Sequence, residues 1–373
     1  MSNLPKLDIA VFEGDGIGNE ITEPSLDLLS AASEQTGGFE LTFKRLPAGA
    51  GTYRQEGIAL PKESLNAARA ADAIFLAAMG LPDVRYPDGT EVAPQLDLRF
   101  EFNLYAGVRP VRSVAGLPPV LADPRAAALD FVLIRESTEG LFASRGKGVV
   151  ENDQEARDTQ VITRPVCERL FDFAFDLAAK RRAAGRPGGV TCVDKANVFT
   201  SFAFFRQIFD ERAALHSDID ADRAYVDATA LNMIRRPWDL DVLVTENMFG
   251  DILSDLAAGL IGGMGLAPSA DIGDEHAVFQ PCHGSAPDIV GQGKANPTAM
   301  FLSAAMMLEW LAERHSIADC ARAGAAIRSA VDQAFGDGGL IPADLGGSAG
   351  TVQVTQAVMT ALRTPRVPVA TAI

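Results

Sequence analysis

The sequence predicts an α/β protein with two domains, and three observations lead to this prediction. The chain has 373 residues, which suits two domains or one large doubly wound unit with an insertion. Short apolar runs alternate with longer amphipathic runs, as they do in α/β folds. Several short runs are apolar at almost every position, which is expected of strands covered by helices on both faces of a sheet.

Individual runs define the expected elements. Strands are predicted at residues 7–12, 71–79, 129–136, 188–194 and 240–246, and their short apolar character carries this prediction. Helices are predicted at residues 63–71, 167–182, 297–315 and 316–335.

Two loop-rich stretches divide the chain. A Pro-rich stretch at 113–127 and a Gly-rich stretch at 259–273 are typical of connections between domains. We therefore expect one domain from both chain ends, 1–109 plus 263–373, and another from 110–262.

Composition excludes several classes of function. The chain has 33 Lys and Arg against 49 Asp and Glu, so its formal net charge is −16. Nucleic acid and anionic membranes require a basic face, and neither is an expected partner. The sequence contains no uncharged apolar run of bilayer length and no N-terminal signal pattern, so a cytoplasmic protein is expected.

Cysteine and histidine patterns argue against zinc and disulfides. The cysteines form no C-x-x-C pair, and the histidines form no H-x-x-x-H or H-x-x-E set. The residues concerned are Cys167, Cys192, Cys282, Cys320, His216, His276, His283 and His315. Any metal must therefore be held by oxygen.

The glycine-rich segment GDGIG, Gly14–Gly18, follows a predicted strand. It matches the dinucleotide fingerprint G-x-G-x-x-G poorly, because the third glycine would fall at Asn19. A tight turn that needs positive φ angles is the alternative.

Two acids form a candidate metal site. Asp251 and Asp255 lie four residues apart at the start of a predicted helix, and so on one face. Such a pair can bind Mg²⁺ or Mn²⁺ if the substrate and another acid complete the coordination. Helix-dipole stabilisation by acids in the first turn is the alternative, but it does not explain two like charges facing each other.

Basic residues next to apolar segments are candidate substrate contacts. Arg99, Arg109 and Arg135 lie at such positions in an acidic protein, and a guanidinium group matches a carboxylate in a bidentate fork. Salt bridges to surface acids are the alternative. Lys195 directly follows a strand, where desolvation can lower its pKa for proton transfer, although most lysines are simply solvated.

The loop HGSAPDIVGQGKANP, residues 283–297, precedes a long predicted helix. Its backbone N–H groups could bind phosphate, and Asp288 could accept hydrogen bonds from ribose hydroxyls. Cys192 and Cys282 adjoin these motifs but are expected to be buried apolar residues.

Taken together, the motifs GDGIG, R-x9-R-P, RESTEG, VDKANV, YVDA, FGDILSD, HGSAPDI-x-GQGKANPTA and DLGGSAGT resemble those of the β-decarboxylating dehydrogenases. That family includes 3-isopropylmalate, isocitrate, homoisocitrate, and tartrate or D-malate dehydrogenases. The resemblance is collinear from residue 7 to about residue 355.

The resemblance implies a two-domain, isopropylmalate-dehydrogenase-like α/β fold that is not a Rossmann fold, with the active-site cleft between the domains. It implies a homodimer whose subunits share active sites. The implied reaction is NAD-dependent oxidation of an (R)-2-hydroxy dicarboxylate or tricarboxylate that carries a carboxylate on C3.

The resemblance also implies roles for individual residues. Arg99, Arg109 and Arg135 would bind substrate carboxylates. Asp251 and Asp255 would hold Mg²⁺ or Mn²⁺, and Lys195 would relay a proton across the dimer. The other implied contacts are Asp227 for the metal, lent by the partner subunit, Gln95, Leu96 and Val198 for the substrate, and Asn197, His283, Gly284, Ser285, Ala286, Pro287, Asp288 and Asn296 for NAD.

The implied chemistry follows from these residue types. By this resemblance Lys195 would take the proton of the 2-hydroxyl as hydride leaves for the nicotinamide, and a metal held by the aspartates would supply Lewis-acid polarisation of that hydroxyl. The resulting β-keto acid loses CO₂, and the enolate must then be protonated by an acid.

The sequence departs from the family pattern at three places. Phe142 occupies the position of a tyrosine that donates a proton to the enolate. Gln95 stands in the segment VAPQLDLR, where an isopropylmalate enzyme usually has leucine. Gln280, in FQPC, replaces a carboxylate.

Several substrates stay open at this point. 3-Isopropylmalate is the nearest named substrate, and homoisocitrate, tartrate and D-malate are the alternatives. A non-catalytic regulatory subunit is less expected, because the metal acids and Lys195 are all present.

Overall fold

The computed structural model describes residues 4–364 and shows a mixed α/β fold built on a ten-stranded sheet. The strands are β1 Lys6–Gly14, β2 Glu40–Arg45, β3 Ala73–Ala78, β4 Ala106–Arg112, β5 Asp130–Glu136, β6 Val149–Glu151, β7 Glu155–Arg157, β8 Gly189–Asp194, β9 Asp220–Tyr225, β10 Val242–Thr245, β11 Pro268–Ile272 and β12 Ala277–Pro281. The helices are α1 Gly18–Thr36, α2 Ala50–Glu56, α3 Lys62–Ala70, α4 Pro94–Glu101, α5 Arg164–Ala183, α6 Thr200–Ala213, α7 Val226–Arg235, α8 Asn247–Leu260, α9 Thr298–His315, α10 Ala318–Phe335 and α11 Thr351–Arg363.

All five predicted strands and all four predicted helices are present, with ends shifted by a few residues. The strands correspond to β1, β3, β5, β8 and β10, and the helices to α3, α5, α9 and α10. Every residue of β3 and of β10 is buried, which explains why these runs are apolar throughout.

The sheet order brings distant parts of the chain together. The order is β2-β1-β3-β12-β11-β4-β5-β10-β8-β9. Pairing is parallel on both sides of the sheet, but β11 and β4 are antiparallel to their neighbours at the centre, with β12 and β5 as the outer partners. Strands from both chain ends therefore meet the strands of the central segment at β4 and β5.

The GDGIG segment is a tight turn between β1 and α1. Gly14 and Gly16 have φ angles of 70° and 60°, which glycine adopts without strain. The N–H groups of Asp15 and Ile17 donate to the carbonyls of Ala78 and Ser285, both at 2.8 Å. The tight-turn interpretation is confirmed and the dinucleotide fingerprint is wrong, because protein groups already occupy these amides.

The acid within this turn has a structural task. The buried Asp15 carboxylate accepts hydrogen bonds from the backbone N–H groups of Ala50, Gly51 and Gly80 at 2.7–2.8 Å. It thereby ties the turn to the start of α2 and to the loop after β3.

Over residues 4–364, no helix combines the length and apolar character needed to cross a membrane.

Candidate active site

Three arginines from three elements meet in one cavity beside the centre of the sheet. Arg99 comes from α4, Arg109 from β4 and Arg135 from β5, and all three line a cavity of about 160 Å³. Each is at most 7% exposed. Because an isolated buried guanidinium group is costly, such a cluster needs acidic partners or a bound anion.

Asp271 supplies the acidic partner for two of them. This buried residue of β11 accepts from Arg99 Nε at 2.9 Å and from Arg109 Nη2 at 3.0 Å. Burial alone would raise the pKa of Asp271, but the two arginines lower that pKa to about 2. The sequence pattern does not predict a site role for Asp271, whose only signal is an acid inside the short apolar run PSADI.

Arg135 is held by groups at the start of α8. The Asn247 side-chain oxygen accepts from Arg135 Nε at 2.9 Å and from Nη2 at 2.7 Å, and Nη1 pairs with Asp251. Burial first, and then repulsion by Arg99, lowers the pKa of Arg135 to about 10. The guanidinium groups are therefore buried rather than at the surface, and their partners, the buried Asp271 and the half-exposed Asp251, fix them around the cavity.

The two candidate metal ligands lie on the cavity wall. Asp251 and Asp255 both line the cavity, one helical turn apart in α8. The helix begins at Asn247, so neither acid is in its first turn, and the helix-dipole explanation is wrong. Burial and repulsion by Asp251 raise the pKa of Asp255, as expected for two neighbouring carboxylates whose repulsion a bound cation would offset.

Lys195 and Asp227 lie outside this cavity. Lys195 follows β8 and Asp227 opens α7, and their side chains pair with each other, with 2.7 Å between Nζ and Oδ1. The Asp227 side chain is 69% exposed, and Asn197 and Val198 are exposed beside them. Within residues 4–364 of one chain, no group of three or more His, Cys, Asp or Glu side chains could hold a metal.

The residues that depart from the family pattern surround the arginines. Gln95 lines the cavity, and its buried Oε1 has no hydrogen-bond partner among the described residues. Gln280 also lines the cavity and donates from Nε2 to Asp271 at 2.8 Å. The ring centre of Phe142 lies 4.9 Å from the Arg135 guanidinium carbon. Leu96, next to Gln95, is half-buried and is not among the residues lining the cavity.

The first residues of the HGSAPD loop close one end of the cavity. His283 and Gly284 line it, and His283 Nδ1 lies 2.9 Å from the Gly284 carbonyl oxygen, to which it must donate. Burial lowers the pKa of His283, which favours the neutral ring, and with Nδ1 as the donor the lone pair of that ring lies on Nε2. That buried nitrogen has no partner among the described residues.

The rest of the loop extends away from the cavity. Ser285 donates its hydroxyl to the Gly80 carbonyl, Ala286 adopts a left-handed φ of 37°, and the Pro287–Ile289 turn leaves Pro287 and Asp288 exposed.

Asn296 lies further along the same loop. Its side-chain nitrogen lies 3.3 Å from both carboxylate oxygens of Asp344. Asp344 opens the motif DLGGSAGT, but nothing in the sequence pattern predicts it as a partner of Asn296.

Within the described residues, this cavity therefore combines buried cations, paired carboxylates and unpaired polar atoms. Three of the five buried side-chain atoms that lack a partner line it, namely those of Gln95, Ser269 and His283. Such an arrangement suits a small polycarboxylate that is bound together with a divalent cation.

Comparison with known proteins defines the class. Residues 8–361 match the family described as isocitrate/isopropylmalate dehydrogenase. The chain is 40% identical to the 3-isopropylmalate/3-methylmalate dehydrogenase of Methanocaldococcus jannaschii over 95% of this chain and 98% of that protein. It is 39% identical to the homoisocitrate dehydrogenase of the same organism over 96% and 98% of the two chains.

A solved structure agrees. The crystal structure of isocitrate dehydrogenase from Methylococcus capsulatus superposes on this chain with a TM-score of 0.84 at 36% sequence identity. The superposition covers 96% of this chain and 100% of the isocitrate dehydrogenase chain. The chain belongs to the isocitrate/isopropylmalate dehydrogenase family and is thus a β-decarboxylating dehydrogenase.

Proposed function

We propose that the protein catalyses the NAD-dependent oxidative decarboxylation of a 3-substituted (R)-malate, with 3-isopropylmalate the nearest named substrate. The observation that carries the proposal is the single cavity lined by Arg99, Arg109, Arg135, Asp251 and Asp255. The arginines would bind the two carboxylates of the malate core, and the aspartates would face its 2-hydroxyl.

A divalent cation fits the acid pair. Asp251 and Asp255 offer oxygen donors on one wall. The pKa of Asp255 is raised first by burial and then by repulsion from Asp251, and a cation would relieve that repulsion. Mg²⁺ and Mn²⁺ prefer oxygen ligands, and Asp227 of a second subunit would add a third carboxylate. When bound, such a metal supplies Lewis-acid polarisation of substrate oxygens, and NAD supplies the hydride acceptor.

NAD would bind along the HGSAPD loop. The unpaired His283 Nε2 and the exposed backbone of Gly284 lie at the cavity end of this loop. The exposed Asp288 would accept hydrogen bonds from ribose hydroxyls and repel a 2′-phosphate. We therefore expect kcat/KM to be higher with NAD than with NADP, and the opposite ranking would contradict the role given to Asp288.

The catalytic base would be Lys195, which accepts the proton of the 2-hydroxyl as the alcohol is oxidised. In one chain this lysine is paired with the exposed Asp227, outside the cavity. We therefore infer a homodimer in which each subunit lends Lys195, with Asn197 and Val198, to the cavity of the other. Exposed apolar side chains nearby support such contact, namely Val198, Phe199, Leu231, Ile234 and Ile252.

The division of the chain into domains follows the same proposal. Residues 1–109 plus 263–373 would form the cofactor-binding domain, and 110–262 the substrate, metal and dimerisation domain, with the cleft between them. The same class of enzyme acts on soluble metabolites, and a cytoplasmic location is part of the proposal.

Homoisocitrate remains the second candidate substrate, followed by tartrate and D-malate. Two relatives from one organism, 40% and 39% identical to this chain, have names with different substrates, so overall similarity does not rank them. The unpaired Gln95 Oε1 in the cavity favours a C3 group that is polar or smaller than isopropyl.

The deciding experiment measures NADH formation from 3-isopropylmalate, isocitrate, homoisocitrate, D-malate and tartrate, with Mn²⁺ and after exhaustive chelation by EDTA. We expect one acid to be oxidised, and only with the metal. Turnover that survives chelation would overturn the metal site. The absence of turnover with every acid, despite metal binding, would favour the regulatory-subunit alternative.

A further inference from the structure

A second and larger cavity lies on the opposite face of the same sheet. It has a volume of about 960 Å³, which is within the range of small-molecule sites. Helix α5 forms one wall, α9 and α10 form the other, and strands β4, β5, β11 and β12 form the floor. We call it the back groove.

The interior of the back groove is apolar. The strands contribute Val108, Pro110, Val132, Ile272 and Phe279. The helices contribute Phe173, Leu177, Met306, Trp310 and Ala325. Phe173, Leu177 and Trp310 are only half-buried, so large apolar and aromatic surface remains open to a ligand.

The charged side chains around the back groove are already neutralised. Arg112 pairs with Asp332 at 2.8 Å and Arg328 with Glu309 at 2.6 Å. Lys180 pairs with Glu313 at 2.6 Å, and Arg181 with Asp130 at 3.0 Å. No basic side chain of the described part of the chain lines this groove without an acidic partner, so an anionic ligand would have to break an ion pair.

The two cavities share strands. On β4, Arg109 faces the arginine-lined cavity, while its neighbours Val108 and Pro110 face the back groove. On β12, Gln280 and Phe279 divide in the same way, because successive strand residues point to opposite faces. An occupant of the back groove would press against the backbone that positions Arg109 and Asp271.

We propose that the back groove is a second ligand site, for an uncharged, largely aromatic or aliphatic small molecule. This occupant differs in charge and polarity from any substrate of the arginine-lined cavity. The existence of the site does not depend on the proposed function. A coupling between this site and substrate binding, through the shared strands, does rest on the proposed function.

The test compares two dyes that share one ring system. N-phenyl-1-naphthylamine is uncharged, and 8-anilinonaphthalene-1-sulfonate adds a sulfonate. Titration of the full chain should show one site for the uncharged dye. The sulfonate dye should bind at least roughly tenfold more weakly, because the cations around the groove are already paired with acids. The chain has two tryptophans, of which Trp310 lines the back groove. In a Trp238→Phe variant, energy transfer from tryptophan to the bound dye can therefore come only from Trp310.

A matched pair of variants locates the dye. Ala325→Phe places a ring in the mouth of the back groove and should weaken binding of the uncharged dye roughly tenfold or more. Ala321→Phe, one turn earlier on the exposed surface of α10, should leave dye binding unchanged. Equal dye affinity in both variants, or no energy transfer from Trp310, would overturn the site. A change of oligomeric state in Ala325→Phe, with dye binding intact, would assign the groove to a second copy of the chain instead.

Coupling is read in the same titration. Saturating 3-isopropylmalate with Mg²⁺ should change the dye dissociation constant roughly threefold or more, by reciprocal linkage. An unchanged constant, while calorimetry shows that the acid binds, would overturn the coupling alone. Failure of the acid to bind would count against the proposed substrate and leave the dye result to decide the site.

Discussion

Two regions that carry the proposed chemistry differ sharply in how far a single chain completes them. The arginine-lined cavity is buried and internally connected, with Asp271 and Asn247 holding all three guanidinium groups. In the segment with Lys195 and Asp227, Asp227 is exposed and Lys195 is half-buried, and among residues 4–364 these two charged side chains form an ion pair only with each other. One chain thus prepares a binding site but leaves the proposed base on its surface, which is the pattern expected when a second subunit supplies it.

The largest expected effect tests this division directly. Lys195→Ala and Arg135→Ala should each reduce kcat/KM by roughly 10²–10⁴ as pure proteins, because one removes the base and the other a substrate contact. In a co-expressed mixture, hybrids combine an intact arginine cavity with the intact lysine of the other chain. About a quarter of wild-type activity should return, from one working site in half of the dimers. A mixture as inactive as its components would show that Lys195 serves its own chain.

The second prediction concerns Phe142, whose ring lies beside the Arg135 guanidinium group. Phe142→Tyr keeps the ring beside Arg135 and adds a hydroxyl that can protonate the enolate, a contribution of about 10²–10⁴-fold. We expect the wild type to oxidise its substrate, with decarboxylation as the step that limits turnover. The Phe142→Tyr variant should release CO₂ faster relative to hydride transfer. Single-turnover NADH formation measured beside CO₂ release separates the two steps.

A ring-deletion variant controls for packing in that experiment. Phe142→Leu removes the aromatic contact with Arg135 without adding a donor, so it should not speed CO₂ release. Equal and fast rates of both steps in the wild type, unchanged by the tyrosine, would show that another group already supplies the proton.

A comparison of buried and edge strands shows how much of the fold the sequence can predict. Strands β3 and β10 are buried on both faces and appear as continuous apolar runs. Strand β9 lies at the edge of the sheet with the polar sequence DADRAY, so no apolar run marks it. Edge strands need little apolar surface, and a prediction based on hydrophobic pattern misses them.

Site residues divide along a similar line. Arg99, Arg109 and Arg135 were identifiable because basic residues beside apolar segments are unusual in an acidic chain. Asp271 was not, because a single acid in a short strand gives no periodic signal and its partners lie more than 160 residues away in sequence. The position of Lys195 outside the cavity depends on three-dimensional packing, which spacing along the chain does not encode.

The third prediction contrasts one buried and one exposed carboxylate. Burial raises the pKa of Glu136, next to Arg135, to about 7, whereas the exposed Asp227 has its pKa lowered by Lys195. A carboxyl group with a raised folded-state pKa contributes stability below its unfolded pKa. That contribution is lost as pH rises from about 4.5 to about 7.

Glu136→Gln removes this titration. Its free energy of unfolding, relative to wild type, should increase by about 2–3 kcal/mol between pH 5 and pH 8. The control, Asp227→Asn, should show no such trend, because its side chain is open to solvent. Urea unfolding across this pH range would contradict the assignment if both variants followed the wild-type pH dependence.

The smallest effect sharpens the comparison within the arginine-lined cavity itself. There the arginines have partners, but the buried Oε1 of Gln95 has none among the described residues, so it is the group that a substrate would have to satisfy. Burying an unpaired amide against an isopropyl group costs on the order of 1–3 kcal/mol, or roughly ten- to a hundredfold in kcat/KM.

Gln95→Leu should therefore raise kcat/KM for 3-isopropylmalate by that factor and lower kcat/KM for a substrate whose C3 substituent donates a hydrogen bond. The ratio of the two values is the measurement, because it cancels any general loss of activity. A wild type that already prefers 3-isopropylmalate by a wide margin, with a ratio that leucine does not change, would mean that Gln95 turns away from the substrate.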